Sequence, residues 1–178
     1  MRLADIPFQP MGGQSAFEPA DLERFVAAPR IAVLSYVRRD GTPNQIPIWY
    51  AYDGEKFSML TSTTSPKAKA IARNPRVCLT IQDETPPYRA VILDGNVTLE
   101  SVDPHCPLHA ELSTRYFGRI GGAEYEKMVA EDNERNGVTM MTFEPDRMRG
   151  FDNERILSAP LLAYMKLRNR LPIPREWL

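Results

Sequence analysis

The chain has 178 residues, of which 43% are hydrophobic and 25% charged, and its 22 Lys and Arg side chains nearly balance 23 Asp and Glu. These values predict one soluble globular domain and argue against a strongly charged surface for nucleic acid or anionic lipid. Two cysteines without CxxC spacing argue against a disulfide framework or a zinc pair. No apolar segment is long enough for a membrane helix and the N-terminus does not resemble a secretory signal, so we predict a cytoplasmic protein.

Residues 1–16 contain two prolines and two glycines and show no periodicity, so they are predicted to form an extended N-terminal arm. A helix is predicted to begin near Pro19 and to end before Pro29, with acidic residues in its first turn and one apolar face. That face consists of Leu22, Phe25 and Val26.

Three strands are predicted at residues 31–37, 45–52 and 56–61. Asp-Gly pairs at residues 40–41 and 53–54 are typical of hairpin turns, so these strands should form an antiparallel meander. Pro47 lies inside the second strand and cannot donate a ladder hydrogen bond, which predicts an edge or a bulge at that position.

A short helix is predicted after Ser65, a good N-cap that is followed by Pro66, and it should end at residues 74–75. Strands follow at 76–82 and 88–100, a helical region at about 107–132 and a last strand at 138–143. Residues 157–178 are basic and rich in proline, and they receive no assignment. About six mostly antiparallel strands favour a mainly β fold, either a small barrel or a sandwich.

The segment from Thr61 to Lys69 is the strongest candidate for an anion site. It combines hydroxyl side chains, the free N–H groups of a helix N-terminus and the Lys67 ammonium one turn inside the helix. The alternative is a well-capped surface helix with solvated lysines. The absence of a GxxxxGK[ST] pattern argues against a nucleoside-triphosphate loop.

A second candidate is the segment from Gln45 to Tyr50, where the strand edge and Trp49 could receive a flat polycyclic ligand; the alternative is a core strand with Trp49 inside. His105 and His109 lack a clear third metal ligand, so we interpret them as surface residues and predict no metal site. Six scattered arginines are interpreted as solvated surface residues: Arg73, Arg76, Arg89, Arg115, Arg147 and Arg149.

Two short motifs, Ser65-Pro66-Lys67-Ala68-Lys69 and Asn74-Pro75-Arg76-Val77, follow a DG turn, a PxWY strand, a second DG turn and a Ser/Thr-rich loop. This order resembles the FMN-binding split-barrel family that includes pyridoxamine 5′-phosphate oxidase. The resemblance implies a six-stranded antiparallel split β-barrel with flanking helices, which forms a homodimer with cofactor at the subunit interface. We therefore predict an arm (1–16), a cofactor-binding barrel (17–152) and a tail (153–178) that packs on the barrel or on the partner.

The resemblance also implies roles for individual residues. Ser65 and Lys67 would hold the cofactor phosphate, and Thr61 and Ser62 would lie along the cofactor ring and side chain. The second strand would face the ring through its backbone. The full predicted cofactor set is Gln45, Ile46, Pro47, Ile48, Trp49, Thr61, Ser62, Ser65, Lys67 and Lys69. The predicted substrate contacts are Trp49, Tyr88, Arg149 and Phe151.

Three departures from the vitamin oxidases argue against pyridoxine-phosphate oxidation. Gln45 and Tyr50 stand where those enzymes carry Arg and Lys, and Ala90 stands where they carry Gln. The Pro47-x-Trp49 pattern is instead similar to the branch that binds the deazaflavin coenzyme F420.

We therefore expect an oxidoreductase that transfers hydride between F420 (or FMN) and an unsaturated or quinone-like small molecule. The cofactor would carry the chemistry, so no catalytic side chain is assigned. The alternatives are an FMN-dependent oxidase or reductase and a non-catalytic module that binds cofactor or haem.

Overall fold

The computed structural model describes residues 2–11 and 16–171 and contains four α-helices, eight strands and two short 3-10 helices, at Leu3–Asp5 and Asn153–Ile156. The helices are α1 (Pro19–Ala27), α2 (Pro66–Arg73), α3 (Pro107–Asn136) and α4 (Ala159–Arg168). The first five strands are β1 (Phe8–Pro10), β2 (Ala32–Val37), β3 (Pro43–Ile48), β4 (Ala51–Tyr52) and β5 (Phe57–Ser62). The other three are β6 (Arg76–Gln82), β7 (Arg89–Val102) and β8 (Val138–Asp152).

The strands form one sheet in the order β3-β2-β6-β7-β8-β5-β4, with β1 parallel to β8 and the other pairs antiparallel. The consecutive strands β3 and β4 lie at opposite ends of this order and are separated only by Trp49 and Tyr50. So short a connection requires the two ends of the sheet to meet. The sheet therefore curls into the split barrel that the family resemblance implied.

The expected count of six strands is wrong, because the described residues form eight. The arm supplies one additional strand, β1, which pairs with residues 148–150 of β8. The other arises because the predicted strand 45–52 is two strands, β3 and β4. The expected three-strand meander is therefore split between the two ends of the sheet.

The corner between β3 and β4 is held by one side chain of α3. The hydroxyl oxygen of Tyr116 lies 2.8 Å from the carbonyl oxygen of Arg30 and 3.2 Å from that of Tyr50, and its single hydrogen can be donated to either. The same oxygen accepts from the N–H of Tyr50 at 3.2 Å. These bonds satisfy backbone groups that the ladder leaves unpaired where the strand breaks.

The long helix α3 folds back on itself at Gly118, whose φ of 72° and ψ of 175° are not helical. Within one straight helix His109 and Asn133 would lie about 36 Å apart at 1.5 Å per residue, yet their side chains are 3.1 Å apart. A Cβ on Gly122 would come within 2.8 Å of the Ser113 backbone, so glycine permits the two segments to pack closely.

The other predicted elements are present, and apart from the last strand their bounds change by at most four residues. Leu22, Phe25 and Val26 of α1 are buried, as the apolar face predicted. The last strand extends to Asp152 rather than Phe143, and Pro145 is accommodated opposite Gly95 at an irregularity in the β7–β8 ladder. No helix among the described residues is long and apolar enough to cross a membrane.

Candidate functional site

Two neighbouring cavities lie against β3 and the loop that follows β5. The first, here called the basic hollow, has a volume of about 580 Å³. The second, here called the aromatic cavity, has a volume of about 460 Å³ and lies between α3 and the corner at Trp49. Thr61 lines the aromatic cavity and Ser65 lines the basic hollow, and their hydroxyl oxygens are 3.0 Å apart. The two cavities are thus adjoining parts of one surface.

The basic hollow collects four cationic side chains and no carboxylate. Its lining consists of Tyr36, Arg38, Arg39, Asn44, Ile46, Ser65, Pro66, Lys67, Ala70 and Arg73. Arg38 donates to Asn44 Oδ1 at 2.6 Å, and Asn44 Nδ2 donates to the hydroxyl oxygen of the buried Tyr36 at 2.6 Å. These bonds orient polar side chains in the lining of a positively charged depression.

Lys67 is half-buried in this hollow. Among the described residues no carboxylate forms an ion pair with it, and burial lowers the pKa of its ammonium group below the usual 10.5. Burying a cation without an opposite charge opposes folding. An anionic ligand in the hollow would supply the missing charge.

The loop after β5 is ordered by hydrogen bonds among its own hydroxyl groups. Ser65 caps α2 by accepting from the Ala68 N–H at 3.2 Å, as the sequence predicted. Ser62 Oγ accepts from the Thr64 N–H at 3.2 Å, and the Thr63 and Thr139 hydroxyls are 2.8 Å apart. The loop therefore presents its hydroxyl groups in fixed positions beside the basic hollow.

β3 is an edge strand, which confirms the expectation based on Pro47. It pairs only with β2, and it contains prolines at positions 43 and 47. Since proline has no N–H for a ladder bond and alternate residues of an antiparallel strand face the same neighbour, both prolines belong on the unpaired edge. That edge offers backbone groups to a ligand that follows β3 from one cavity to the other.

Trp49 and Tyr125 line the aromatic cavity, and Trp49 is held by rings of α3. Trp49 stacks on Tyr116 with centroids 5.0 Å apart and an interplanar angle of 10°. Its ring also lies 5.0 Å from that of Phe117 and 5.1 Å from that of Tyr125. Trp49 is thus half-buried against α3 rather than in the barrel core, and it stands beside the cavity.

His109 and Asn133 supply polar groups to the same cavity from the two segments of α3. Asn133 Nδ2 donates to His109 Nε2 at 3.1 Å, and the imidazole stacks on Tyr125 at 6.3 Å. Burial is the main cause that lowers the pKa of His109 below its ordinary value. The expectation that both histidines lie on the surface therefore holds for the exposed His105 but is wrong for His109.

The predicted cofactor residues divide between the two cavities. Ile46, Ser65 and Lys67 line the basic hollow, whereas Pro47, Ile48, Trp49, Thr61 and Ser62 line the aromatic cavity. Gln45 and Lys69 are exposed and line neither cavity.

The predicted substrate contacts other than Trp49 lie elsewhere within the single chain. Tyr88 is half exposed before β7, Phe151 lies in β8, and Arg149 forms an ion pair with Asp94. None of them lines the basic hollow or the aromatic cavity. Their assignment to substrate stays a prediction.

Most of the basic hollow was not predicted from the sequence. Arg38 and Arg39 belong to the turn between β2 and β3, and Arg73 ends α2. Arg73 is one of the arginines interpreted as solvated surface residues; it is indeed exposed, and it also lines the hollow. A detectable signal did exist, because Arg73 lies three residues after Ala70 and seven after Pro66 and so shares one helix face with them. Nothing local places the β2–β3 turn beside that helix.

Several other arginines that were interpreted as solvated form ion pairs or hydrogen bonds within the chain. Arg89 pairs with Asp83 at 2.7 Å, Arg76 pairs with Asp146, and Arg115 donates to the Ala27 carbonyl oxygen at 2.7 Å. These contacts join parts of the fold and leave the side chains away from both cavities.

Among the described residues no cluster of three or more His, Cys, Asp or Glu could hold a metal ion.

The groups that line the two cavities fit a ligand with an anionic part and a ring. Cations and hydroxyls of the basic hollow suit phosphate or carboxylate oxygens, and the adjoining strand edge and apolar wall suit a planar ring. A flavin or deazaflavin nucleotide combines such an anionic tail with such a ring.

Comparison with known proteins agrees with this chemistry. A sequence model of the pyridoxamine 5′-phosphate oxidase family matches residues 19–151. The comparison with curated proteins found no match.

Three solved structures illustrate the likeness of fold. An F420 reductase is 26% identical, with 71% of this chain and 94% of that chain covered and a TM-score of 0.57. A conserved hypothetical protein from Mycobacterium tuberculosis is 24% identical, with 81% and 90% covered and a TM-score of 0.62. A haem storage protein from Vibrio cholerae is 14% identical, with 72% and 91% covered and a TM-score of 0.52.

Proposed function

The chain belongs to the pyridoxamine 5′-phosphate oxidase family, and from this premise we propose that it transfers hydride between F420 and an unsaturated or quinone-like small molecule, with FMN as the alternative cofactor. The observation that carries the proposal is the basic hollow, where four cations without a carboxylate adjoin the free edge of β3. The similarity to an F420 reductase supports the same cofactor.

The charge of the basic hollow favours F420 over FMN. FMN ends in one phosphate group, whereas the tail of F420 carries a phosphodiester followed by glutamate carboxylates. Lys67 and Ser65 alone would suffice for a single phosphate. Arg38, Arg39 and Arg73 add three further cations in the same depression, which suits a longer tail with several charges.

Named parts of the chain would hold the cofactor. Lys67 and the arginines of the basic hollow would bind the anionic tail, and the Thr61 and Ser62 hydroxyls would contact the region between tail and ring. The backbone of residues 45–49 would face the ring, as the family resemblance implies. The bound cofactor supplies the hydride chemistry itself, so the protein's tasks are binding, orientation and exclusion of water.

Tyr50 supports the argument against pyridoxine-phosphate oxidation. It stands where the vitamin oxidases carry Lys, it is fully buried, and its hydroxyl donates to the Val26 carbonyl oxygen at 2.8 Å. A side chain committed to the core in this way supplies no cation to an anionic substrate.

A ligand series tests the cofactor assignment. Dissociation constants should be measured by fluorescence titration for F420, for its deazaflavin chromophore without the tail, for FMN and for riboflavin. We expect F420 to bind at least about tenfold more tightly than the tail-less chromophore, since each charged hydrogen bond contributes roughly 1.5–3 kcal/mol. This difference should shrink as salt is raised. Equal affinity for the two deazaflavins would refute the role of the hollow.

A matched pair of variants tests whether the cations of the basic hollow cause the tighter binding of F420. Arg73→Gln should weaken F420 binding and leave the chromophore unaffected, whereas Arg76→Gln should change neither, because Arg76 lies outside the hollow and pairs with Asp146. Turnover of reduced F420 with enones and quinones then separates the enzyme from a carrier. Tight binding without turnover would favour the non-catalytic cofactor-binding alternative.

A further inference from the structure

We propose that the outer face of α4 binds the surface of a membrane that contains anionic lipids. The outer face is defined as Leu161, Tyr164 and Leu167 of α4 together with Leu171 in the turn that follows the helix. The inference does not depend on the proposed function, because it concerns a part of the chain that lines neither cavity. Its evidence comes from the exposure, the attachment and the charge of α4.

Large apolar side chains are concentrated on the surface of this segment. Among the described residues eleven large hydrophobic side chains are exposed, and five of them lie between Ile156 and Leu171. The four residues of the outer face are 42–62% exposed, and their spacing of three or four residues places them on one side of the helix. Apolar surface concentrated in this way marks a contact with another protein or with a membrane.

The opposite side of α4 attaches the helix to the rest of the fold. Leu162 and Met165 are half-buried on that side. Lys166 forms an ion pair with Glu154 at 2.9 Å, and the Asn169 amide donates to two oxygens of the loop before β7. Since these contacts hold α4 by its inner side, the outer face is free to bind a partner and its substitution should not disturb the fold.

Cations accompany the apolar face. Residues 157–171 contain Lys166, Arg168 and Arg170 and neither Asp nor Glu. Lys166 is paired with Glu154, whereas neither arginine forms an ion pair within the described part of the chain. The balanced total charge of the sequence does not show this local excess of positive charge.

This combination is typical of helices that lie in the headgroup region of a bilayer. There the apolar side chains reach the acyl chains, the arginines meet anionic headgroups, and a tyrosine such as Tyr164 presents an apolar ring with a polar tip. The outer face supplies all three kinds of side chain within three helical turns.

A second copy of the chain fits this face less well. A stable interface between proteins uses about 20–30 residues on each side, and the outer face consists of only four. A two-fold contact between two outer faces would also bring the arginines of both helices into one interface, where like charges repel. A lipid surface carries the opposite charge and requires no complementary shape.

Sedimentation of the full-length protein with lipid vesicles tests the proposal. Vesicles of phosphatidylcholine alone should be compared with vesicles in which about one-third of the lipid is phosphatidylglycerol. We expect at least about tenfold tighter binding to the anionic vesicles, because each cation near such a surface contributes roughly fivefold. This preference should fall as salt is raised. No binding, or equal binding to the two compositions, would overturn the proposal.

A carboxylate introduced into the outer face should abolish the interaction. Leu167→Glu should reduce binding to the anionic vesicles at least about tenfold, since it removes an apolar contact and adds a charge that the lipid repels. Met128→Glu is the matched control, because Met128 is 71% exposed on α3 and the change in charge is the same. Loss of binding in both variants, or in neither, would contradict the assignment to α4.

The arginines have their own control. Arg168→Gln combined with Arg170→Gln should lower binding to the anionic vesicles to the level seen with phosphatidylcholine alone. Arg24→Gln combined with Arg119→Gln removes the same charge from exposed positions of α1 and α3 and should have little effect. An equal loss in the two double variants would show that only the net charge matters and would refute the role of α4.

Sedimentation equilibrium without vesicles distinguishes the other occupant of the outer face. Vesicle binding that is lost in Leu167→Glu while the oligomeric state stays the same supports the proposal. An oligomer that dissociates in Leu167→Glu, together with no vesicle binding by the wild type, would assign the face to a second copy and refute it. Neither result affects the cofactor assignment, which the ligand series tests separately.

Discussion

Replacing Lys67 with methionine should have opposite effects on the free and the cofactor-bound protein. In the free protein Lys67 is half-buried, and burial lowers the pKa of its ammonium group below the ordinary 10.5. The charged form therefore opposes folding below the folded-state pKa, and this penalty disappears as pH rises from that value toward 10.5. Methionine keeps most of the side-chain length without the charge. We expect the cofactor-free Lys67→Met protein to be at least as stable as the wild type at pH 7.

Binding should respond in the other direction. A hydrogen bond from Lys67 to a phosphate or carboxylate of the cofactor would contribute about 1.5–3 kcal/mol. Its loss corresponds to a roughly 10- to 150-fold rise in the dissociation constant. The variant should accordingly gain less thermal stability from a fixed excess of F420 than the wild type does, because stabilisation by a ligand follows its affinity.

Thermal unfolding with and without F420, together with a fluorescence titration, measures both effects. Lys69→Met is the control, because Lys69 is exposed on the same helix and lines neither cavity. A clear loss of stability in the cofactor-free Lys67→Met protein, together with unchanged cofactor affinity, would show that Lys67 has a structural role and would refute the reasoning.

Three further predictions concern the scaffold. Tyr116→Phe removes the hydroxyl that bonds to both backbone groups of Tyr50, and it should destabilise the protein by about 1–3 kcal/mol, or roughly 2–4 °C in Tm per kcal/mol, as measured by calorimetry. Gly150→Ala should cost about 1–3 kcal/mol or more in urea unfolding, because a Cβ there would overlap the Ala90 carbonyl oxygen across the β7–β8 ladder. The Asp53 carboxylate accepts backbone N–H bonds that hold its pKa below 3.8, so the stability advantage of the wild type over Asp53→Ala should persist above pH 3.8 and fall as the pH is lowered further. An advantage that does not change between pH 7 and pH 3 would contradict that assignment.

The sequence alone determined the local elements, because their signals lie within a few residues. Ser65 and Pro66 predicted the start of α2, and the alternating apolar residues at 77, 79 and 81 predicted β6 and its buried face. Pro47 predicted an edge position for β3 on the ground that proline cannot donate a ladder bond. Composition and periodicity were compatible with either a small barrel or a sandwich. The family resemblance then predicted the split barrel.

Only the tertiary structure decided how distant residues combine into the two cavities. The pairing of β2 with β6 and the packing of α2 on β2 bring the turn with Arg38 and Arg39 beside α2. The reversal of α3 at Gly118 brings Asn133 to His109. A cation or a histidine has the same local pattern whether it lies in solvent or in a cavity. What distinguishes the two cases is which residues from far away in the chain lie beside the side chain, and that depends on the path of the whole backbone.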